Sequence, residues 1–214
     1  LHGAKNPLAH LQLPEINMKE VEDSPMLWEP LRFLEACPSS DGACAMVIAN
    51  EELAAQSPGK PAWIRGAAMR SEPTMYAGRE QVNPQAGRDC AKDVYKQAGI
   101  SNPRKDLDCA EVYVPFSWYE PMWLENLGLA ESGWRAVDAG ETRRDGRLPI
   151  NPSGGVLSSN PIGASGMLRF AEAALQVRGA AGAHQIDGAR LAMGHAYGGG
   201  SQFFSMWIVG SERP

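Results

Sequence analysis

The chain has no apolar stretch long enough to cross a bilayer. Its most hydrophobic run, Phe203–Val209, is seven residues with Ser205 inside it, whereas a spanning helix needs about 20. Metal-ligand spacing is missing too. The four cysteines (Cys37, Cys44, Cys90, Cys109) form no Cys-x-x-Cys, and His2, His10, His184 and His195 do not complete a set around them, which argues against zinc and leaves no metal residue to name. Four cysteines in 214 residues make no disulfide scaffold, so a reducing cytoplasm is the expected compartment. There is no basic excess, with 20 Lys+Arg against 25 Asp+Glu and a net charge of −5; nucleic acid is not an expected partner. Leu1–Lys5 shows neither an initiating Met nor a signal-peptide pattern and reads as the start of a piece cut from something longer.

What remains is an ordinary globular composition, 43% hydrophobic with six Trp. The 23 Gly follow no three-residue period, and the aliphatic content argues against disorder. Periodicity predicts a short helix around Trp28–Glu35, a strand over the uniformly apolar Ala43–Ala49, and a helix over Glu51–Ala55. Ser57-Pro58-Gly59-Lys60-Pro61 is a breaker cluster and marks the boundary between an end piece, 1–56, and a main domain, 57–214. Beyond it the pattern alternates. Strands are expected at Trp63–Arg70, Ala110–Val114, Arg190–Met193 and Gln202–Val209. Helices are expected at Arg88–Ala98, at Trp118–Leu127, and from Gly163 to Arg178 with Leu168, Ala171, Ala174 and Leu175 on the apolar face. That alternation indicates a layered α/β architecture.

Three glycine-rich turns stand out: Asn151–Gly155, Gly163–Gly166 at a helix start, and Ala196–Gly200 before the last strand. Backbone without side chains lets an anionic or carbonyl ligand approach N–H groups closely, although such turns also occur with no ligand. His195 beside the third turn has the residue type of a general base, and Tyr113 at a strand end that of an oxyanion donor. Cys37 and Cys44 read as small structural thiols rather than nucleophiles. Glu111 and Glu120 are single carboxylates with no partner visible in the sequence.

Taken in order, these segments carry a more specific signal. Lys5-Asn6-Pro7, Glu22-Asp23-Ser24-Pro25, Cys37-Pro38-Ser39-Ser40-Asp41-Gly42, Glu111-Val112-Tyr113, Asn151-Pro152-Ser153-Gly154-Gly155, Asn160-Pro161-Ile162-Gly163-Ala164-Ser165-Gly166 and His195-Ala196-Tyr197-Gly198-Gly199-Gly200 follow one another as in the thiolase superfamily. The branch they resemble is that of the sterol-carrier-protein-type, or lipid-transfer, thiolases. The resemblance covers nearly the whole chain. It implies the thiolase fold, a mixed five-stranded sheet with helices on both faces. The chain would supply one complete half of a subunit and, through residue 56, the end of the other half.

The resemblance also implies a site, with departures. The segment carrying the family's nucleophilic Cys has no counterpart here, and neither Cys37 nor Cys44 matches it. Tyr113 stands where members have Asn or His, Asn160 where a principal catalytic His is found, and Ala196 where degradative members have a Cys. By this carry-over the catalytic positions are His195, Tyr113, Asn160 and Tyr197, and the substrate-binding positions Gly154, Gly155, Gly163, Ser165, Gly198 and Gly199. The implied activity is a thiolase-like acyl transfer on acyl-CoA in lipid or steroid side-chain breakdown. The alternatives are retro-aldol cleavage of a 3-hydroxyacyl-CoA and a non-catalytic partner subunit. Coenzyme A enters as substrate, with no bound cofactor. A homodimer or higher oligomer is implied, as is a possible small zinc-ribbon and oligonucleotide-fold partner protein.

Overall fold

A computed structural model describes residues 1–213. In chain order its elements are a 3-10 turn His2–Lys5, α1 (Met18–Asp23), β1 (Met26–Trp28), β2 (Leu31–Arg32), a 3-10 turn Phe33–Glu35, α2 (Glu51–Ala55), β3 (Trp63–Ser71), α3 (Gln85–Ala98), α4 (Pro103–Asp106), β4 (Cys109–Glu111), α5 (Tyr119–Asn126), α6 (Gly133–Asp138), α7 (Gly155–Ser158), α8 (Ile162–Arg178), a 3-10 turn Gly182–His184, β5 (Leu191–Gly198) and β6 (Phe203–Gly210).

β3, β6, β5 and β4 form one mixed sheet in that spatial order. The β3–β6 and β5–β6 pairs are antiparallel and β4–β5 is parallel. Period-two alternation sorts its side chains. Phe204, Met206 and Ile208 of β6 and Met193 of β5 join Val94 and Tyr95 of α3 in the larger core. Val209 and Ala192 face the other way, with Phe170, Ala173 and Val177 of α8. Helices thus cover both faces, as the layered α/β reading requires. Where the resemblance implies five strands, the structure has four; Ile150 holds the fifth place through a single parallel bridge to Ala110.

Most expected elements fall within a few residues of their observed ends, and three readings are corrected. Trp28–Glu35 is a small antiparallel hairpin followed by one 3-10 turn, not a helix; Pro30 disfavours helical backbone at Glu29. Ala43–Ala49 has no regular structure, and Val47 and Ile48 are 96% and 71% exposed. A strand needs ladder partners, and none lies beside this segment among the described residues. On α8 the buried face is not the expected one: Phe170, Ala173 and Val177 supply its apolar part. Leu168, Ala171, Ala174 and Leu175 are half-exposed, while Ser165, Arg169, Glu172 and Gln176 are buried. Each of these polar groups has a partner on a neighbouring segment, which makes its burial tolerable.

Candidate functional site

The site is built where β4 gives out. The sequence continues as a β-type pattern to Val114, yet the ladder stops at Glu111. The reason is competition for backbone protons. The Val112 N–H donates to Asn151 Oδ1 at 2.7 Å, and the Tyr113 N–H donates to His195 Nδ1 at 3.3 Å. Side chains replace strand partners, and the backbone turns Tyr113 toward the start of α8.

Beneath this point lies a buried ion pair. Arg169 of α8 donates to Glu111, and Ser153 donates to the same carboxylate from its hydroxyl (2.7 Å) and its backbone N–H (2.9 Å). Glu111 is fully buried and Arg169 is 3% exposed. Burial pushes the Glu111 carboxyl upward, and the Arg169 guanidinium opposes that shift. The arrangement ties β4, α8 and the Asn151–Gly155 turn together. That turn is further pinned by Asn6, whose side-chain amide donates to the Ser153 carbonyl at 3.1 Å. Gly154 sits at φ +94°, and a Cβ there would lie 2.4 Å from Gly3 Cα. The free space beside Gly154 is therefore taken by the chain's own first turn. Gly155, also at positive φ, faces Asn151.

Asn160 is the hub of the polar cluster. Its Oδ1 accepts from the Tyr113 phenol at 3.2 Å and from the Ser165 hydroxyl at 2.8 Å. Its Nδ2 donates to Cys37 Sγ at 3.1 Å. Its backbone N–H donates to Ser40 Oγ at 3.1 Å. Cys37 is brought here by main-chain pairing, its N–H donating to the Pro115 carbonyl at 2.8 Å. Burial pushes the Cys37 thiol up, and the Asn160 hydrogen bond partly offsets this. Tyr113 is raised by burial, with the Ser165 hydroxyl acting the other way.

Tyr197 completes the group through its ring, edge-on to Tyr113 at 5.2 Å and packed against Tyr119 and Trp123 at 5.4 and 5.1 Å. Burial raises its phenol far above the ordinary value, and a hydrogen bond with Tyr119 adds to the shift. Both phenols are held protonated near neutrality and are available as hydrogen-bond donors.

His195 lies in an apolar environment. It has no solvent exposure and sits among Trp123, Phe204 and Tyr197. Burial pulls its pKa down to about 3. The ring is neutral at physiological pH, with Nδ1 accepting from Tyr113 and Nε2 lacking a partner among the described residues.

Of the positions singled out from the sequence, Tyr113, Asn160 and Ser165 meet by direct hydrogen bonds and Tyr197 joins them by ring contact. Gly163 lies exposed in the first turn of α8, and half-buried Gly198 ends β5, with Gly199 opening the turn into β6. The sequence reading missed Cys37, Ser40 and the Glu111–Arg169 pair. The Ser39-Ser40 doublet after Cys37-Pro38 was visible, but nothing local shows that its partner is more than a hundred residues away. Among the described residues no cluster of three or more His, Cys, Asp or Glu is placed to hold a metal, and no helix is long and apolar enough to cross a membrane.

A family model described as "Thiolase C-terminal domain-like" matches residues 68–211. The chain belongs to the thiolase family. Acetyl-CoA acetyltransferase from Methanothermobacter thermautotrophicus is 33% identical over 202 residues, which are 92% of this chain and 52% of that protein. Human sterol carrier protein 2 is 32% identical over 98% of this chain and 40% of its own length. The chain therefore spans about half the length, or less, of these relatives. Among solved structures, the Ltp2-ChsH2(DUF35) aldolase superposes with a TM-score of 0.87 at 31% identity, over 98% of this chain and 55% of that one. A monomeric SCP2-thiolase-like protein from Mycobacterium smegmatis has a TM-score of 0.67 at 21% identity, over 99% of this chain and 44% of that one, and shares the fold. Membership of the thiolase family, in its sterol-carrier branch, agrees with the resemblance drawn from the motifs. The mixed sheet with helices on both faces agrees with the thiolase-like architecture of these neighbours.

Proposed function

We propose that the protein carrying this chain breaks a carbon–carbon bond next to an acyl-CoA thioester, by retro-aldol cleavage of a 3-hydroxyacyl-CoA. One observation carries the reading. By the motif resemblance Asn160 stands at the place of the thiolase catalytic His, bonded to Tyr113 and Ser165, while the imidazole of the Gly-rich turn, His195, is buried with its pKa at about 3. The site offers amide and phenol donors in place of an imidazole base.

In the cleavage the 3-hydroxyl loses its proton, the bond between C2 and C3 breaks, and C3 leaves as a carbonyl. The electron pair passes to the thioester as an enolate, and C2 takes up a proton. Protons balance, and free CoA is not consumed. Asn160 Nδ2 stabilises the enolate oxygen, the role of an oxyanion donor. Tyr113 or Tyr197 relays the proton from the 3-hydroxyl oxygen to C2, its phenol giving its own proton to C2 as it accepts the one leaving the hydroxyl. His195 holds the Tyr113 backbone rather than acting on substrate. The likeness to a solved aldolase complex at 31% identity supports this reading.

A second reading, thiolysis, is favoured by a different observation: the Cys37 thiol lies 3.1 Å from Asn160 Nδ2, inside the cluster. The relatives named acetyl-CoA acetyltransferase and benzoylsuccinyl-CoA thiolase subunit BbsB, from Thauera aromatica, support it. In either case we assign the acyl group to a lipid or steroid side chain, which the sterol-carrier relatives support. We also assign the protein a cytoplasmic location, supported by its free cysteines, and assembly with itself or a second subunit, supported by the two-component aldolase. Incubation of the full-length protein with a 3-hydroxyacyl-CoA alone, and separately with a 3-oxoacyl-CoA plus CoA, followed by mass, decides between the reactions. Cleavage of the hydroxy substrate without added CoA is expected. Chain shortening of only the oxo substrate would replace retro-aldol cleavage by thiolysis.

A further inference from the structure

We infer that Ser165 is a positioning residue that fixes which way round the Asn160 amide sits. The inference rests on Asn160 belonging to the reactive site. Ser165 is fully buried, so it is placed to hold a neighbour rather than to touch substrate.

A primary amide can occupy its site in two orientations of nearly the same shape, with oxygen and nitrogen exchanged. Two hydroxyl protons select one of them. Those of Ser165 and Tyr113 both end on Asn160 Oδ1, at 2.8 and 3.2 Å. Turned over, the amide would present N–H groups to both hydroxyls, and each would need another acceptor. Apart from Asn160, neither has one among the described residues, except that Ser165 also lies within hydrogen-bonding reach of the Tyr113 phenol. Turning the amide takes the shared acceptor from both protons and leaves Ser165 only the carbonyl one turn earlier or the Tyr113 phenol, poorer arrangements that disfavour the turned amide by about tenfold.

The serine's own chemistry fits this use. Inside a helix a serine hydroxyl usually bonds back to a carbonyl one turn earlier. Ser165 instead reaches past that turn to the side chain of Asn160, just ahead of α8. The consequence is directional. With Oδ1 held inward, Nδ2 faces Cys37 and the half-buried edge of the cluster, where a ligand oxygen would arrive. Ser165 thereby keeps Asn160 a donor, the property an enolate requires.

The test is a double-mutant cycle on the full-length protein, read with whichever of the two acyl-CoA substrates it turns over. Ser165→Ala is expected to lower kcat about tenfold with KM changed less than threefold. In an Asn160→Ala background, where no amide remains to orient, Ser165→Ala is expected to change kcat less than twofold. Ser165→Thr, which keeps the hydroxyl, is expected to recover most of the activity. Should Ser165→Ala fail to fold, Ser165→Cys, similar in size with a weak donor, takes its place and is expected to show the same pattern. An equal loss in both backgrounds, or no loss in the native one, overturns the inference. If Asn160→Ala leaves turnover intact, it is the assignment of Asn160 to the reactive site that fails. Side-chain amide NMR of Asn160 reads the orientation without turnover. One pair of resonances is expected in the native protein and a second, exchanging set in Ser165→Ala; identical spectra overturn the inference independently of any activity.

Discussion

The imidazole of His195 accepts the backbone proton of Tyr113 through Nδ1 at 3.3 Å, from a position closed to solvent. This bond ends β4 and directs the phenol of Tyr113 to Asn160. It also makes the histidine a titrating element of the fold. Its pKa is about 3 in the folded chain, against an ordinary value of about 6.5.

The sign of the pH effect follows. Below about pH 6.5 the unfolded chain binds a proton that the folded chain refuses, so the contribution of neutral His195 is complete above that pH and declines as pH falls toward 3. The slope is about 1.4 kcal/mol per unit. Glu111 and Glu120, raised by burial, act oppositely, losing stability as pH rises above the ordinary carboxylate range. The clean measurement is therefore the difference between the native protein and His195→Gln. Between pH 6 and pH 5 their gap in unfolding free energy should narrow by about 1 kcal/mol. A constant gap would mean that His195 titrates normally.

Arg169 and Glu111 supply the second prediction. Removing one member of a buried pair strands the other, at a cost of about 3–5 kcal/mol. Arg169→Met leaves Glu111 with only the Ser153 donors, and burial then favours its protonated form. Urea unfolding at pH 7 should show a loss of this size. The double variant Arg169→Met with Glu111→Gln should recover part of it, because the uncompensated charge is gone. A loss below about 1 kcal/mol would show that water reaches the pair.

Tyr113→Phe separates the phenol from the backbone. The ring keeps its edge contact with Tyr197, and what is lost is the phenol itself, with its O–H to Asn160 Oδ1 and its contact with the Ser165 hydroxyl. We expect kcat to fall about a hundredfold, the range for a positioned acid or donor, with the midpoint of thermal unfolding moved by only a few degrees. Steady-state kinetics of the full-length protein checks this, and unchanged turnover would remove Tyr113 from the mechanism.

How much of this was legible without coordinates depends on the range of the information. β6 and α3 announce themselves through period-two and helical patterns that the core then uses. Motif order names Tyr113, Asn160 and Ser165, and these three meet. The approach of Cys37 to Asn160 is set by the pairing of Cys37 with Pro115, and a sequence displays no such long-range pairing. The polar stripe Ser165, Arg169, Glu172, Gln176 misled for a related reason. Burial of polar groups is decided by partners, and these come from Asn160, β4, the 151–155 turn and the 182–186 segment. Ala43–Ala49 looks like a covered strand by composition, but composition carries no information on whether a ladder partner is present.

Gly154 gives the last prediction, because two constraints coincide there. Its φ of +94° lies where L side chains are strained, and its missing Cβ would stand 2.4 Å from Gly3 Cα and 2.7 Å from Gly3 N. Backbone atoms cannot yield as the end of a flexible side chain can. Gly154→Ala should therefore cost more than the strain alone, which is of order 1–3 kcal/mol, and the least costly relief is to push the His2–Lys5 turn away. That turn carries His2, whose Nδ1 lies 3.0 Å from the carbonyls of both Ile150 and Asn151, and it is followed by Asn6, which bonds the Ser153 carbonyl. Displacing it would uncover the far side of the loop that bears Ser153 and Asn151, and so loosen Glu111 and the Val112 N–H together. Hydrogen exchange is the fitting measurement. In Gly154→Ala, amides of residues 2–9 should lose protection first and Val112 next, while β6 keeps its protection. Loss spread evenly over the whole sheet would instead indicate that the turn and the core unfold as one unit.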